Sequence, residues 1–372
     1  FCKLYRVYSL YISHRLQPSK GMKMGVFDHT EFDNHESLHY FHDATTGLKA
    51  IVAVHSTALG PAAGGTRRWN YSNEADALTD VLRLSRGMSY KNAVAGLKFG
   101  GGKAVILASA ETPKSPELFR AFGRCVDSLG GKYITAEDVG CSTDDMRYVR
   151  EVTQFVSGLP QDAGDAGGDP SPWTALGCYE GIEAAVHARL GKDSVKGLRV
   201  AVQGVGHVGL HLCRMLHEAG AELIIADVNS DNLKMTTDAV PATVVAPSEL
   251  LFADVDILAP CALGNILTSH TIPKIKATIV AGAANNQLST PADGVRLAER
   301  DILYAPDYVI NAGGIISVAA EYYGEGSAED VRADVGRIRN RLQDIFKEAK
   351  ETGRPTHELA DELARKMVAA AR

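Results

Sequence analysis

The chain has 372 residues, 45% of them apolar and 23% charged, with a formal net charge of −6. That length exceeds one ordinary hydrophobic core and implies two domains, with the composition of a soluble globular protein. The acidic balance argues against general binding to nucleic acid or anionic membranes, and no uncharged apolar run of about 18 residues is present to span a bilayer.

Residues 1–23 carry Lys, Arg, Ser and Tyr, and no acid occurs before Asp28. A poorly ordered leader is expected there, either a transit-type segment or sequence upstream of a start at Met22 or, preferably, Met24. LKAIVAVHST (48–57) reads as a strand entering the turn GPAAGG. From Glu74 to Tyr90, Ala77, Leu78, Val81, Leu82, Leu84 and Met88 recur at helical spacing. A strand is expected at Ala104–Leu107, then a helix over Leu118–Leu129 stopped by Gly130 and Gly131. Strand YITA then delivers Glu137 and Asp138 to its end. Residues 158–172, rich in Gly, Pro and Asp, form the clearest linker.

A helix is expected from Thr174 to about Leu190. Beyond it the strands LRVAVQ, ELIIAD, ATVVA, VDILAP, TIVAG and YVINAG alternate with helices. Short apolar strands alternating with helices imply a parallel sheet covered on both faces. The C-terminal stretch is charged, alanine-rich and helical. The six cysteines (Cys2, Cys125, Cys141, Cys178, Cys213, Cys261) are scattered with no C-x-x-C pair. Reduced thiols in a cytoplasmic protein are expected, with no zinc site, other metal or disulfide framework.

Strand Leu198–Gln203 runs into Gly204, Gly206 and Gly209, a G-x-G-x-x-G turn, and Asp227 ends the next strand 23 residues after Gly204. Gly204 permits the tight turn, Gly206 lets a pyrophosphate approach the backbone, and Gly209 lets helix and sheet pack closely. The helix N-terminus offers free N–H groups to phosphate. Asp227 can accept hydrogen bonds from ribose hydroxyls and repels a 2′-phosphate. No Lys or Arg lies between Asp227 and Lys234 to offset it, so NAD is the expected cofactor. The competing reading is a glycine turn in a sheet without a ligand.

Lys91 and Lys103 lie twelve residues apart around a glycine triplet. GGGK followed by Ala104 is not a phosphate loop, which needs Ser or Thr after the lysine. The glycines could instead bring Lys103 and backbone N–H groups close to a small substrate. Oxidising an amino acid by hydride transfer gives an iminium that water must attack. Such a site needs a base, a cation for the α-carboxylate and a proton shuttle for the amine; two lysines and Asp138 can fill these roles. A free lysine titrates near ~10.4 and a useful base near ~7–8, a difference of about 4 kcal/mol that burial and a second ammonium can supply. Surface lysines and a structural ion pair at Asp138 are the plainer alternatives.

The segments GPAAGGTR, LRLSRGMSYK, FGGGKAV, TAEDVG, GVGHVG, APCALG, AGAANNQL and ILYAPDYVINAGG together resemble the glutamate/leucine/phenylalanine/valine dehydrogenase family. The likeness is strongest to its leucine and valine branch and runs over roughly residues 24–350. It implies an α/β fold of two domains separated by a cleft. Residues 24–160 with 330–372 would form an α/β substrate-binding and oligomerisation domain, and 161–329 a Rossmann-type doubly wound parallel sheet. It implies Lys91 as carboxylate ligand, Lys103 as base and Asp138 as acid–base partner. Asn285 and Asn286 would lie near substrate and nicotinamide ribose, and Thr174 near the carboxamide, although Thr174 could simply cap a helix. Val205, His207, Val208, Cys261 and Ala262 would join the glycines and Asp227 around the dinucleotide. A homo-oligomer, an octamer by this likeness, is expected.

The resemblance also lines the side-chain pocket with Ala63, Gly64, Met88, Ala136, Ile315 and Val318. All are apolar or small, and core packing is the plainer reading. Glutamate-specific relatives carry a lysine and a serine in place of Ala63 and Val318. An unpaired γ-carboxylate here would cost several kcal/mol, so glutamate should be rejected. Ile315 and Val318 favour branched aliphatic substrates; Ala63 and Ala136 leave room for phenylalanine or tryptophan. A non-catalytic NAD-binding homologue is the remaining reading.

Overall fold

The computed structural model describes residues 25–109, 112–159, 169–262 and 264–372. The expected leader and most of the expected linker lie outside the described residues.

The first unit comprises β1 (Ser37–Asp43), β2 (Leu48–Ser56), β3 (Ala62–Ala63), β4 (Thr66–Trp69), α1 (Glu74–Val94), β5 (Gly100–Leu107), α2 (Pro116–Asp127), β6 (Tyr133–Ile134) and α3 (Thr143–Arg150). Its sheet runs β1-β2-β5-β3-β6, with β4 also paired to β5. β1 and β5 flank β2 antiparallel, whereas β3 and β4 run parallel to β5. Alternation along the strands sorts the side chains onto two faces. Leu48, Ala50, Val52 and Val54 join Ala104 and Ile106 under α2 and α3, while Ile51, Ala53 and Val105 pack with Ala77 and Val81 of α1. Lys103 has the parity of Val105 and therefore projects to the α1 face.

β5 begins at Gly100, not at Ala104, because the glycine triplet belongs to the strand. A Cβ on Gly101 would lie 2.1 Å from the backbone nitrogen of Ser89, and one on Gly102 2.7 Å from the Tyr133 ring. The triplet lets α1 and that ring lie directly on the strand. It does not form a loop of N–H groups around a ligand. The expected helix at Leu118–Leu129 starts earlier, where Ser115 accepts the Leu118 N–H and Pro116 takes the first turn.

The second unit holds α4 (Ser171–Leu190), β7 (Arg199–Gln203), α5 (His207–Glu218), β8 (Glu222–Ala226), α6 (Ser230–Ala239), β9 (Thr243–Val244), α7 (Pro247–Leu250), β10 (Ile257–Pro260), β11 (Ile279–Val280), α8 (Pro291–Glu299) and β12 (Leu303–Tyr304). Its strands are all parallel, in the order β9-β8-β7-β10-β11-β12. The order reverses between β7 and β10, and that switch point opens the crevice at the strands' carboxyl ends. Val200, Val202, Ile257, Ala259 and Ile279 pack on one face; Ala201, Leu258 and Val280 pack on the other.

The expected last strand, YVINAG, is helical: α9 (Asp307–Ile310) leads into α10 (Gly313–Tyr323), and β12 lies just before it. Pro306 offers no N–H to a ladder. The Asp307 carboxylate accepts the N–H groups of Tyr308 (2.6 Å) and Gln287 (2.9 Å), which turns the chain. Val309 and Ile310 still bury, from a helix.

α11 (Ala328–Thr352) lies along α4, with Val331, Val335, Ile338 and Leu342 in the core shared with β7 and β10. Its residues, expected with the first unit, therefore pack with the second. α12 (Thr356–Ala370) touches both. Arg365 Nε donates to the Tyr90 hydroxyl on α1 (3.0 Å), and the Tyr308 hydroxyl donates to Asp361 (2.8 Å). Among the described residues no helix is long and apolar enough to cross a membrane, and no cluster of three or more His, Cys, Asp or Glu could hold a metal. Cys141, Cys178 and Cys213 are buried free thiols; Cys125 and Cys261 are half-buried and free.

Candidate active site

Lys103, at 5% exposure, points from β5 into the space beneath α1, and its Nζ lies 2.9 Å from Asp138 Oδ2. Asp138 reaches that point because Thr66 N–H bonds to Ala136 O and Thr66 bridges to Glu137, laying the segment after β6 along β4. A Cβ on Gly65 would lie 2.9 Å from the Asp138 Cβ, so this approach requires glycine. Burial pushes the Asp138 carboxyl up; Lys103 and Arg67 overcome this and hold it at about 2. Glu137 pairs with no cation among the described residues and moves the other way, pushed up to about 7 by burial, Asp169 and Asp138.

Lys91, near the end of α1, donates to Asn285 Oδ1 of the second unit at 3.1 Å. Burial, aided by the Lys103 charge and opposed by Asp307 and Asp138, pushes Lys91 down to about 8. The Lys103 charge is among the causes, so the two ammonium groups lie close enough to repel each other. The two lysines, Asp138 and Asn285 thus share one cleft.

Asn285 is held from behind. Asn311 donates to the same Oδ1 (2.8 Å) and to Ala283 O (3.0 Å), and buried Gln287 ties down Gly282 O (2.7 Å) and Ala284 O (3.0 Å). Asn286 takes a left-handed conformation (φ 52°), and its carbonyl accepts the Asn265 N–H. It shapes the turn, whereas Asn285 reaches the lysine. Both are exposed.

Of the six residues expected to line the side-chain pocket, four lie in the first unit and two on α10, and Ile315 packs against the core of the second unit. Ala63 pairs with Ile134, a Cβ on Gly64 would touch Met88 at 3.0 Å, and Ala136 is 9% exposed. α10 brings half-buried Ile315 and buried Val318; Val318 O accepts the Ser157 hydroxyl (3.2 Å), and Ala319 packs with Ala63.

At the dinucleotide turn Gly204 has φ 87°, and a Cβ there would lie 2.6 Å from that of Ala262. A Cβ on Gly209 would lie 2.1 Å from Gly204 O and 3.7 Å from the Cβ of Cys261. Gly206 is open, its nearest neighbour 3.9 Å away, and it precedes α5 with no side-chain cap on the helix. His207 and Val208 form the uncapped first turn of α5, while Val205 is buried. Asp227 accepts the Val205 N–H (2.8 Å) and the Asn229 N–H (2.8 Å) at the tip of β8. Every feature suits a dinucleotide. Thr174 lies inside the first turns of α4, with its hydroxyl on Pro170 O (3.1 Å), so it is not the helix cap.

Arg67, Asp80, Asp307, Asn311 and Gln287 were missed from sequence. Arg67 directly follows GPAAGGT, and Asn311 sits in VINAGG; a polar residue locked into a glycine-rich segment was the available signal.

A family model described as the Glu/Leu/Phe/Val dehydrogenase dimerisation domain matches residues 35–155, and one described as glutamate/leucine/phenylalanine/valine dehydrogenase matches 225–372. Leucine dehydrogenase of Geobacillus stearothermophilus is 46% identical over 345 residues, 93% of this chain and 94% of that one. Valine dehydrogenase of Streptomyces virginiae is 46% identical over 347 residues, 92% and 96% of the two chains. The crystal structure of L-tryptophan dehydrogenase from Nostoc punctiforme superposes with a TM-score of 0.77 at 46% identity, covering 91% of this chain and 97% of that one.

Proposed function

This chain belongs to the Glu/Leu/Phe/Val dehydrogenase family, and from that premise we propose that it oxidatively and reversibly deaminates an aliphatic L-amino acid (leucine, valine or isoleucine) with NAD. It is an oxidoreductase, an NAD(P)-dependent amino-acid dehydrogenase. The observation that carries the reading is the convergence of Lys91, Lys103, Asp138 and Asn285 on one cleft beside the dinucleotide turn.

Lys91 holds the substrate carboxylate and Asn285 fixes its orientation. The apolar wall from Ala63 to Val318 receives the side chain. A bound nicotinamide would supply the acceptor for the hydride from Cα, and loss of that hydride turns the amine into an iminium. Lys103 takes a proton from the water that attacks the iminium carbon. Asp138, a carboxylate paired with Lys103, relays to the amine the proton that Lys103 has taken from water, and the amine leaves as the C–N bond breaks. Buried surroundings exclude competing water and fix these distances. Gly204, Gly206 and Gly209 would seat the pyrophosphate and Asp227 the adenosine ribose. Asp227, next to fully exposed Val228 and without a nearby cation, supports NAD over NADP.

Purified protein with NAD and with NADP, assayed at the NADH absorbance against branched, aromatic and acidic amino acids, tests the reading. Leucine and NAD should turn over; no turnover with any amino acid would sink it. Lys103→Ala should cut kcat at least ~10²-fold and leave NADH binding intact. A second, aromatic reading is favoured by the small side chains of Ala63 and Ala136 and by the likeness to L-tryptophan dehydrogenase; phenylalanine and tryptophan in the panel decide it. A homo-oligomer, an octamer in this reading, and a cytoplasmic location complete the proposal.

A further inference from the structure

Asp138 carries two cations, and the reaction above uses only one. Arg67 stands on β4 in register with Val105 of β5, so it projects to the same sheet face as Lys103. Its Nε lies 3.1 Å from Asp138 Oδ2, the oxygen that Lys103 also meets. Its Nη1 lies 3.1 Å from Asp80 Oδ2 on α1, and the Tyr71 hydroxyl donates to that same oxygen at 2.6 Å. The Arg67 and Asp80 side chains are 19% and 26% exposed. Tyr71, Asp80, Arg67, Asp138 and Lys103 therefore form one continuous line from the outer end of α1 to the cleft.

Hydride transfer does not require the three outer groups, but proton transfer gives them a task. With Lys103 charged, the four ionic groups of the line balance. Once Lys103 is neutral, a net negative charge remains in a confined place. A guanidinium cannot lose its proton in a protein, so Arg67 keeps Asp138 anionic and in position whichever state Lys103 is in. We infer that Arg67, braced by Asp80 and Tyr71, is a positioning residue that acts through Asp138 to set the pH at which Lys103 becomes a base. This rests on Lys103 being the base. The other titratable groups facing Lys103 and Asp138 are Lys91 on α1, Glu137 beside Asp138, Tyr133 on β6, Cys141 before α3 and, across the cleft behind Lys91, Asp307. None changes in the two variants below.

Arg67→Gln leaves the Asp138 charge to Lys103 alone. The proton is held more tightly, and the acidic limb of kcat/KM moves to higher pH. Asp80→Asn keeps its size and can still accept the Tyr71 hydrogen bond, but removes a negative charge, so the limb moves to lower pH. Each displacement should be about half to one pH unit. A brace that is only structural would lower both profiles without moving the limbs apart. Competitive acetylation of Lys103 by acetic anhydride, followed against pH by peptide mass spectrometry, reads the same divergence without turnover. If no amino acid is oxidised yet the acetylation midpoints diverge, the reaction reading falls, and with it the basic role of Lys103, while the control of its protonation by Arg67 stands. If turnover occurs and both midpoints match the wild type, or move in the same direction, the inference is overturned. Should Arg67→Gln fail to bind NADH, Asp80→Asn alone decides by the sign of its shift.

Discussion

Lys91 is half neutral near pH 8 in the free protein because burial disfavours its charge. A carboxylate docked on it favours the ammonium. Binding of a 2-oxo acid together with NADH should therefore draw in a proton near pH 8, up to about half of one, and essentially none at pH 6, where the amine is already charged. Calorimetry in buffers of different ionisation enthalpy measures this; no uptake at pH 8 would remove Lys91 from the carboxylate. Single residues were unevenly legible. Lys91, Lys103 and Asp138 declared themselves because charge beside a glycine triplet and an apolar strand is costly without a use. Arg67 did not, since an arginine after a turn looks like surface until β4 is known to run beside β5. Asn311 was hidden for a similar reason, inside a segment whose branched residues suggested a strand.

Among the elements, the α5 turn shows how one motif serves two purposes. A methyl group on Gly209 would strike the carbonyl of Gly204, forcing α5 away from β7. Gly209→Ala should lower Tm by several degrees, as overpacking of about 1–3 kcal/mol implies, and weaken NADH binding as well. Gly206 has open space around it, so Gly206→Ala should leave Tm unchanged and still weaken NADH at least ~10-fold by occupying the approach of the pyrophosphate. Thermal unfolding and fluorescence titration separate the two; equal Tm losses would contradict this division of labour. The alternating strands and helices of the second unit were readable because short, near-continuous apolar runs set between helical segments suit strands buried on both faces. The start of β5 and the nature of YVINAG were not. Gly100, Gly101 and Gly102 have no side chains to show a period, and the turn at Asp307 depends on Gln287, distant in sequence.

At the scale of the molecule, the cleft is framed by two units that meet through Lys91 and Asn285 in front and through α12 behind. Helix periodicity revealed α11 and α12 but not their partners, because an amphipathic face specifies burial without saying against what. Arg365→Ala should free α12 from α1. Hydrogen exchange is expected to quicken in α12 and α9 while β7 and β10 keep their protection; unchanged exchange in α12 would show that the apolar contacts alone hold it. The placement of this helix also bears on synthesis. The sheet carrying Lys103 can close early as the chain emerges from the ribosome. The strap that ties α1, packed on that sheet, to α9 of the second unit is made more than two hundred residues later. Full working geometry across the cleft is thus expected only once α12 has been made, and a chain that stops short of Thr356 should keep the sheet carrying Lys103 yet lose turnover.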